Sequence, residues 1–308
     1  MKRVLVIGGA NHDLTARSSR LPTVGETLLA YSFDEQPGGK AANQAVAAAA
    51  WGVPTTFLAR IGRDVYGDRM LEAYDAVGLD TNAIIRDPSG TGLGIVFMDP
   101  RGAYQTLVVS RANSCLAPAD LDRIESLWPE IGVVVLQLES PLETVIEAAR
   151  RASARRVPVI LNAAPADRMS EELWPYITVL IVNEVEAQEL VHTHLDTPQA
   201  VRQALTKLLD RVPAAVITLG KQGVVAQLGA APPIAVSGIS VEVTSTLGAG
   251  DAFVGVLSAE WVRHGDLARA VTRANQAAAV SVMRTETWFT LNIADVEACL
   301  SPLGVRVD

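Results

Sequence analysis

Short runs of β-branched and other apolar residues alternate along most of this chain with longer stretches of helical period. The runs are residues 4–7, 133–138, 157–161, 177–182 and 215–219. Helical patterns lie between them, as at 141–156 and 197–211. A strand that is apolar at successive positions must be covered on both faces, and a helix between two such strands supplies that cover. The pattern therefore predicts an α/β fold in three layers, with a mostly parallel central sheet between helices. The chain has 308 residues, 49% of them hydrophobic and only 5% aromatic. That length can bury a large core, and runs of small residues such as 47–50 suit close packing of helices.

Two stretches break the alternation. Residues 14–37 are turn-rich and strand-like with no helical period. Residues 94–110 read as a hairpin, with strands 95–98 and 104–109 around the turn Asp99-Pro100-Arg101-Gly102. They form either a small separate sheet, able to cover a site as a lid, or edge strands of the main sheet. On the first reading the chain is one unit, with a core of residues 1–13, 38–93 and 111–308 and a β lid of 14–37 and 94–110.

Polar residues gather where strands end: Asn11 and Asp13, Glu139, Asn162, Asn183 and Glu186, and Thr218 with Gly220. Ligands of open α/β sheets bind beyond the carboxyl ends of the strands. Four segments there carry chemistry. In Thr246-Leu247-Gly248-Ala249-Gly250-Asp251, small residues open a helix behind a strand-like run at 239–243, so backbone amides can approach an anion closely. Asp251 can take a proton from an attacking hydroxyl, or it can simply cap the helix. An amide cradle beside a carboxylate is what phosphoryl transfer requires. The segment Gly38-Gly39-Lys40-Ala41-Ala42-Asn43-Gln44 opens an Ala-rich helix ending near Gly52. It offers a close backbone approach, a point charge and an amide, or else a loop with a solvated lysine.

In Gln137-Leu138-Glu139-Ser140-Pro141-Leu142-Glu143 a structural reading dominates. Ser140 and Glu143 are spaced as a capping box with Pro141 at the first helical position, and Glu139 is left to face a ligand. Asn183 and Glu186, three apart at a strand–helix junction, either cap that helix or hold magnesium through water.

The formal charge of −8 argues against nucleic acid as a partner. Two cysteines, Cys115 and Cys299, suggest no disulfide framework. His192 and His194 lack metal-ligand spacing, His12 reads as a bystander, and Gly8-Gly9-Ala10 lacks the dinucleotide spacing. The apolar run at 4–7 is too short for a signal or a membrane span, so a soluble cytoplasmic protein with no membrane partner is expected.

In this order, over residues 3–300, the segments resemble the ribokinase family of carbohydrate kinases. The pairing of 38–44 with 246–251, about two hundred residues apart, is the specific part. The resemblance implies a three-layer α/β/α core with a β-sheet lid that often forms a dimer contact. It implies transfer of the γ-phosphate of ATP, with magnesium, to the primary hydroxyl of a pentose, ribose foremost. Asn11, Asp13, Gly39, Lys40, Asn43 and Glu139 match the sugar-binding positions. Asp251 matches the catalytic base, and Gly248, Ala249 and Gly250 the anion hole. Asn183, Thr218, Gly220, Gly223 and Asn275 match the nucleotide side, and Asn183 with Glu186 the magnesium-linked pair. The family's potassium site is only partly matched, because Ser245 stands where a carboxylate is usual and Glu286 lies in the neighbouring loop. The tail at 287–298 is closer to pseudouridine kinase relatives. A nucleoside kinase of the same fold, and a sugar- or nucleotide-binding regulator without catalysis, are the alternative readings.

Overall fold

The computed structural model describes residues 1–101, 103–284, 288, 290 and 292–306. Among these, eight strands form the central sheet in the order Ile234–Ser237, Gly223–Leu228, Ala214–Thr218, Val179–Asn183, Val159–Asn162, Ile131–Leu136, Arg3–Ile7 and Thr55–Leu58. Every pairing is parallel except the two made by strand 223–228. The strands alternate between two apolar layers. Val4, Val6, Val133 and Val135 face one, and Leu5, Ile7, Val134 and Leu136 face the other. All eight side chains are buried. Burial on both faces is why these runs show no polar alternation, and each large side chain contributes about 1.5–3 kcal/mol.

Helices Lys40–Ala50, Val65–Ala76, Ala249–His264, Leu267–Ser281 and Ile293–Leu300 cover the first layer. Leu142–Ala154, Glu184–Val191 and Pro198–Leu209 cover the second. Helices 40–50 and 249–264 pack unusually close. A Cβ on Gly255 would lie 2.5 Å from both Ala47 Cβ and Gln44 O. At the far end of this pair Trp51 Nε1 donates to the buried Glu260 carboxylate at 2.7 Å, and Arg269 approaches it at 3.2 Å. A buried carboxylate is tolerated only when so paired. The two helices are therefore fixed to each other, with both N-termini at the same end of the sheet.

A second sheet of four strands stands apart, in the order Ser32–Gly38, Asn11–Arg17, Gly92–Met98 and Tyr104–Val109. Its strand 11–17 begins at Asn11, so Asn11 and Asp13 are carried by this sheet and not by a loop of the core. Strand 104–109 is exposed along its whole length.

Residues 239–243 do not form the strand that their composition suggests. Beyond strand 234–237, the last of the sheet, this run pairs with no strand among the described residues, and Ile239, Val241 and Val243 line a cavity instead.

Candidate active site

Helix 249–264 starts at Gly248, whose φ of 78° favours glycine. No side chain caps this start, so its first amides remain available to an anion in the positive field of the helix. Asp251 sits in the first turn and reaches helix 40–50. Its Oδ2 accepts from Asn43 Nδ2 at 3.1 Å and its Oδ1 from Gln44 Nε2 at 2.9 Å. Gln44 is fully buried. It also donates to Asn162 Oδ1 at 3.1 Å and accepts from Gln137 Nε2 at 2.5 Å. Asn43 Oδ1 is buried with no partner among the described residues, an atom that a ligand hydroxyl would satisfy.

Helix 40–50 repeats the arrangement. Its N-cap Gly39 has φ 92° and no side-chain cap, and a Cβ there would lie 2.8 Å from the backbone N of Asn11. Helix 184–191 differs. Asn183 Oδ1 accepts from Glu186 N and Glu186 Oε2 from Asn183 N, each at 2.9 Å, which completes a capping box. The box expected at Ser140 and Glu143 does not form. Helix 142–154 has Pro141 as its N-cap without a side-chain bond, and Ser140 Oγ is buried without a partner among the described residues. Arg168 donates to the carbonyls of Leu138 and Ser140, drawing that turn towards the cleft and leaving Ser140 a residue short of the capping position.

Lys40 stands among carboxylates. Its Nζ is 3.8 Å from Glu139. Burial works against its ammonium, but Asp251, Glu139 and Glu186 outweigh it and raise its pKa. Burial also raises the Asp251 carboxyl, against Lys40 and the amide donors of Gln44 and Asn43. Glu139 and Glu186 are pushed up by burial too, with Lys40 opposing in each case. Asp13 is raised to about 6 by burial and by its neighbours Glu139 and Asp251. Room for its carboxylate comes from glycines on the flanking strands. A Cβ on Gly38 would lie 2.1 Å from Asp13 Oδ2, and one on Gly94 2.2 Å from Oδ1.

Three cavities run in a row past these groups. The first, of 360 Å³, is lined by Asn11, Lys40, Glu139 and Glu186, with Val108 of the second sheet and Ser110 just beyond it. Of the other predicted sugar positions, Gly39 abuts Asn11, Asn43 bonds Asp251, and Asp13 feels Glu139 and Asp251. The middle cavity, of 140 Å³, brings together Lys40, Asn183, Glu186, Gly248, Gly250 and Asp251. The third, of 590 Å³, is lined by Thr218, Gly220, Gly223, Asn275, Ala249 and Gly250 and walled by Ile239, Val241 and Val243. Asn183 opens into the middle cavity and not the third. Thr218 and Gly250 belong to both. His12 turns away from the row and stacks on Tyr66 at 4.7 Å. A fourth cavity, of 660 Å³, lies at the opposite pole against Lys2, Trp128 and Trp261 and gathers none of these residues.

Sequence reasoning missed Asn113 and Arg168, which line the first cavity, and the bracing of Asp251 by Gln44 and Gln137. Asn113 and Arg168 lie in short turns, Arg111–Cys115 and Ala166–Arg168, far along the chain from their partners, and no local spacing marks them. Ser245 Oγ accepts from Leu247 N at 3.3 Å. Glu286, the other residue of the potassium expectation, lies outside the described residues.

Comparison with known proteins adds the chemistry. Residues 1–293 match the model of the pfkB family of carbohydrate kinases. A ribokinase of Bacillus subtilis is 35% identical over 92% of this chain and 93% of its own length. A deoxyribokinase of Salmonella typhi is 32% identical over 91% of this chain and 92% of its own. The solved structure of an Arabidopsis thaliana ribokinase complexed with ribose and ATP superposes with a TM-score of 0.88 at 28% identity, covering 99% of both chains.

Proposed function

The chain belongs to the pfkB family of carbohydrate kinases, a phosphotransferase with an alcohol group as acceptor, and we propose that its acceptor is the primary hydroxyl of a pentose, ribose foremost, with ATP as donor. The observation that carries this reading is the row of cavities, with Asp251 in the middle one between a polar chamber and a larger, mainly apolar one. A hydroxyl entering from the first chamber meets the carboxylate, and a phosphate chain entering from the third meets the uncapped amides of Gly248, Ala249 and Gly250.

In this reading Asp251 is the general base. Its raised pKa improves it as a proton acceptor, and Asn43 and Gln44 hold it in line. The helix amides and Lys40 stabilise the charge that develops on the transferred group. Asn11, Asp13, Gly39, Lys40, Asn43 and Glu139 bind the sugar. Thr218, Gly220, Gly223 and Asn275 bind the nucleotide, with Asn183 nearest its phosphates. Magnesium, when bound, would neutralise part of the phosphate charge. Among the described residues no three or more His, Cys, Asp or Glu side chains gather to ligate a metal directly. The residues present fit a cation held mainly through water, with Glu186 Oε1 outside the capping box and Asn183 beside it.

The second sheet acts as the lid, because it brings Val108 and Ser110 over the first cavity. Its bare edge and exposed Phe33, Tyr104, Leu107 and Val108 suit a homodimer formed through this sheet. Light scattering that returns the mass of one chain would remove that part. No helix among the described residues is long and apolar enough to cross a membrane.

The test of the function is ATP consumption with magnesium over ribose, 2-deoxyribose, hexoses and nucleosides, with and without potassium. Ribose turned over with the highest kcat/KM supports the proposal. A nucleoside preferred over every free sugar overturns it.

A further inference from the structure

The polarity of one amide in the first cavity is set by a residue outside the sugar-binding motifs. Asn113 lies in the tight turn Arg111–Cys115 and is 6% exposed. Its Oδ1 accepts from the backbone N–H of Ala10 at 2.9 Å, and its Nδ2 donates to Asn11 Oδ1 at 2.7 Å. A backbone N–H can only donate, so the Asn113 atom facing it must be the carbonyl oxygen. The other end of that amide is then NH₂, and the Asn11 atom facing it must be oxygen. By the same logic Asn11 turns its NH₂ to the cavity that it lines. This chain of reasoning holds however oxygen and nitrogen are placed within each amide plane. The pair has been given room by two glycines. A Cβ on Gly92 would lie 2.3 Å from Asn113 Nδ2 and 2.4 Å from Asn11 Oδ1, and one on Gly9 3.4 Å from Asn113 Cγ.

We propose that Asn113 is a positioning residue that makes Asn11 an obligate hydrogen-bond donor to the acceptor substrate. The inference rests on the carbohydrate-kinase reading of this cavity. With Asp13 and Glu139 as acceptors nearby, the site then offers donor and acceptors together, and a substrate hydroxyl meets both by accepting from Asn11 while donating to a carboxylate. An acceptor lacking that hydroxyl leaves buried polar groups unmatched. Without Asn113, Asn11 is free to turn its oxygen inward and add one more acceptor to a cavity already rich in them.

The test compares Asn113→Asp and Asn113→Leu at pH 8 with the best acceptor found in the substrate panel. In Asn113→Asp the ionised carboxylate still accepts from Ala10 N–H but cannot donate to Asn11, so it inverts Asn11. In Asn113→Leu the side chain only releases it. The acceptor KM should rise about tenfold to hundredfold in Asn113→Asp and less in Asn113→Leu, with the ATP KM unchanged in both. A residue that only filled space would give the opposite order, because Asp is nearly isosteric with Asn. Asn11→Asp mimics the inverted state directly, so by itself it should raise the acceptor KM about as much as Asn113→Asp does. The reverse order, an unchanged acceptor KM in Asn11→Asp, or equal rises in both KM values overturn the proposal. Its premise is read without substrate, from side-chain amide exchange in the wild-type protein by NMR. The Asn113 NH₂ should be protected and the Asn11 NH₂ should exchange quickly. Protection of Asn11 instead sinks the proposal, even where a variant fails to fold. A wild type that phosphorylates no sugar would sink the functional reading while leaving this exchange result to stand or fall by itself.

Discussion

The first and third cavities are built from opposite materials. The first is lined by polar side chains, Asn11, Lys40, Asn113, Glu139, Arg168 and Glu186. The third is walled by Ile239, Val241, Val243, Ala278 and Val282, with glycines at 220, 223 and 238 bringing backbone to the surface. A chamber of the first kind selects by direction, since a missing partner leaves a buried group unsatisfied. A chamber of the third kind selects by shape and area, so it forgives small changes more readily. Between them, Asp251 belongs to neither chamber, and as the proposed general base it should be unforgiving for a different reason, because such a group acts on the transition state.

Three substitutions sharpen that contrast. Asp251→Asn should have the largest effect, lowering kcat about 10²–10⁴-fold with both KM values little changed, as read by ADP release. Substantial turnover by this variant would show that the middle cavity is only structural. On the polar side, Asp13 gives a pH signature. Its pKa is raised to about 6, so it is an ionised acceptor above that pH and a protonated group below it. The acceptor kcat/KM should therefore fall as pH drops through 6, approaching about tenfold per unit in the limit. Asp13→Asn should flatten that bend while leaving the ATP KM in place. A bend that survives the substitution would assign it to another carboxylate. On the apolar side, Gly223→Ala should act through backbone strain. Gly223 has φ 101°, and a Cβ would lie 2.0 Å from Val236 O. Stability should drop by about 1–3 kcal/mol in thermal unfolding, and the ATP KM should rise without change in the acceptor KM. An altered acceptor KM would mean that the two chambers are not separable.

The same contrast explains what could be read from the sequence. The core strands were legible because residues 4–7 and 133–136 are apolar at every position, which only two-sided burial allows. Lys40, Asn43 and Asp251 drew attention because they follow glycines at helix starts, while Asn183 stood out only through its spacing from Glu186, which a capping box explains equally well. Residues 239–243 were misleading, since an apolar β-branched run looks the same whether it joins a ladder or walls a cavity. Ser140 and Glu143 had ideal spacing for a box, and nothing local revealed that Arg168 would hold the turn elsewhere. Asn113 was invisible because its role depends on meeting Ala10 and Asn11 a hundred residues away.

The lining of the first cavity is drawn from residues 9–186 and that of the third from residues 218–282. A ribosome therefore adds every residue that lines the first cavity before any that lines the third, and Asp251 arrives with the second set. An interrupted translation product ending before Thr218 has the lining residues of the first cavity but lacks helix 249–264, on which helix 40–50 packs, so nothing holds that lining in place. Premature chains thus form neither cavity, by the order of their synthesis alone.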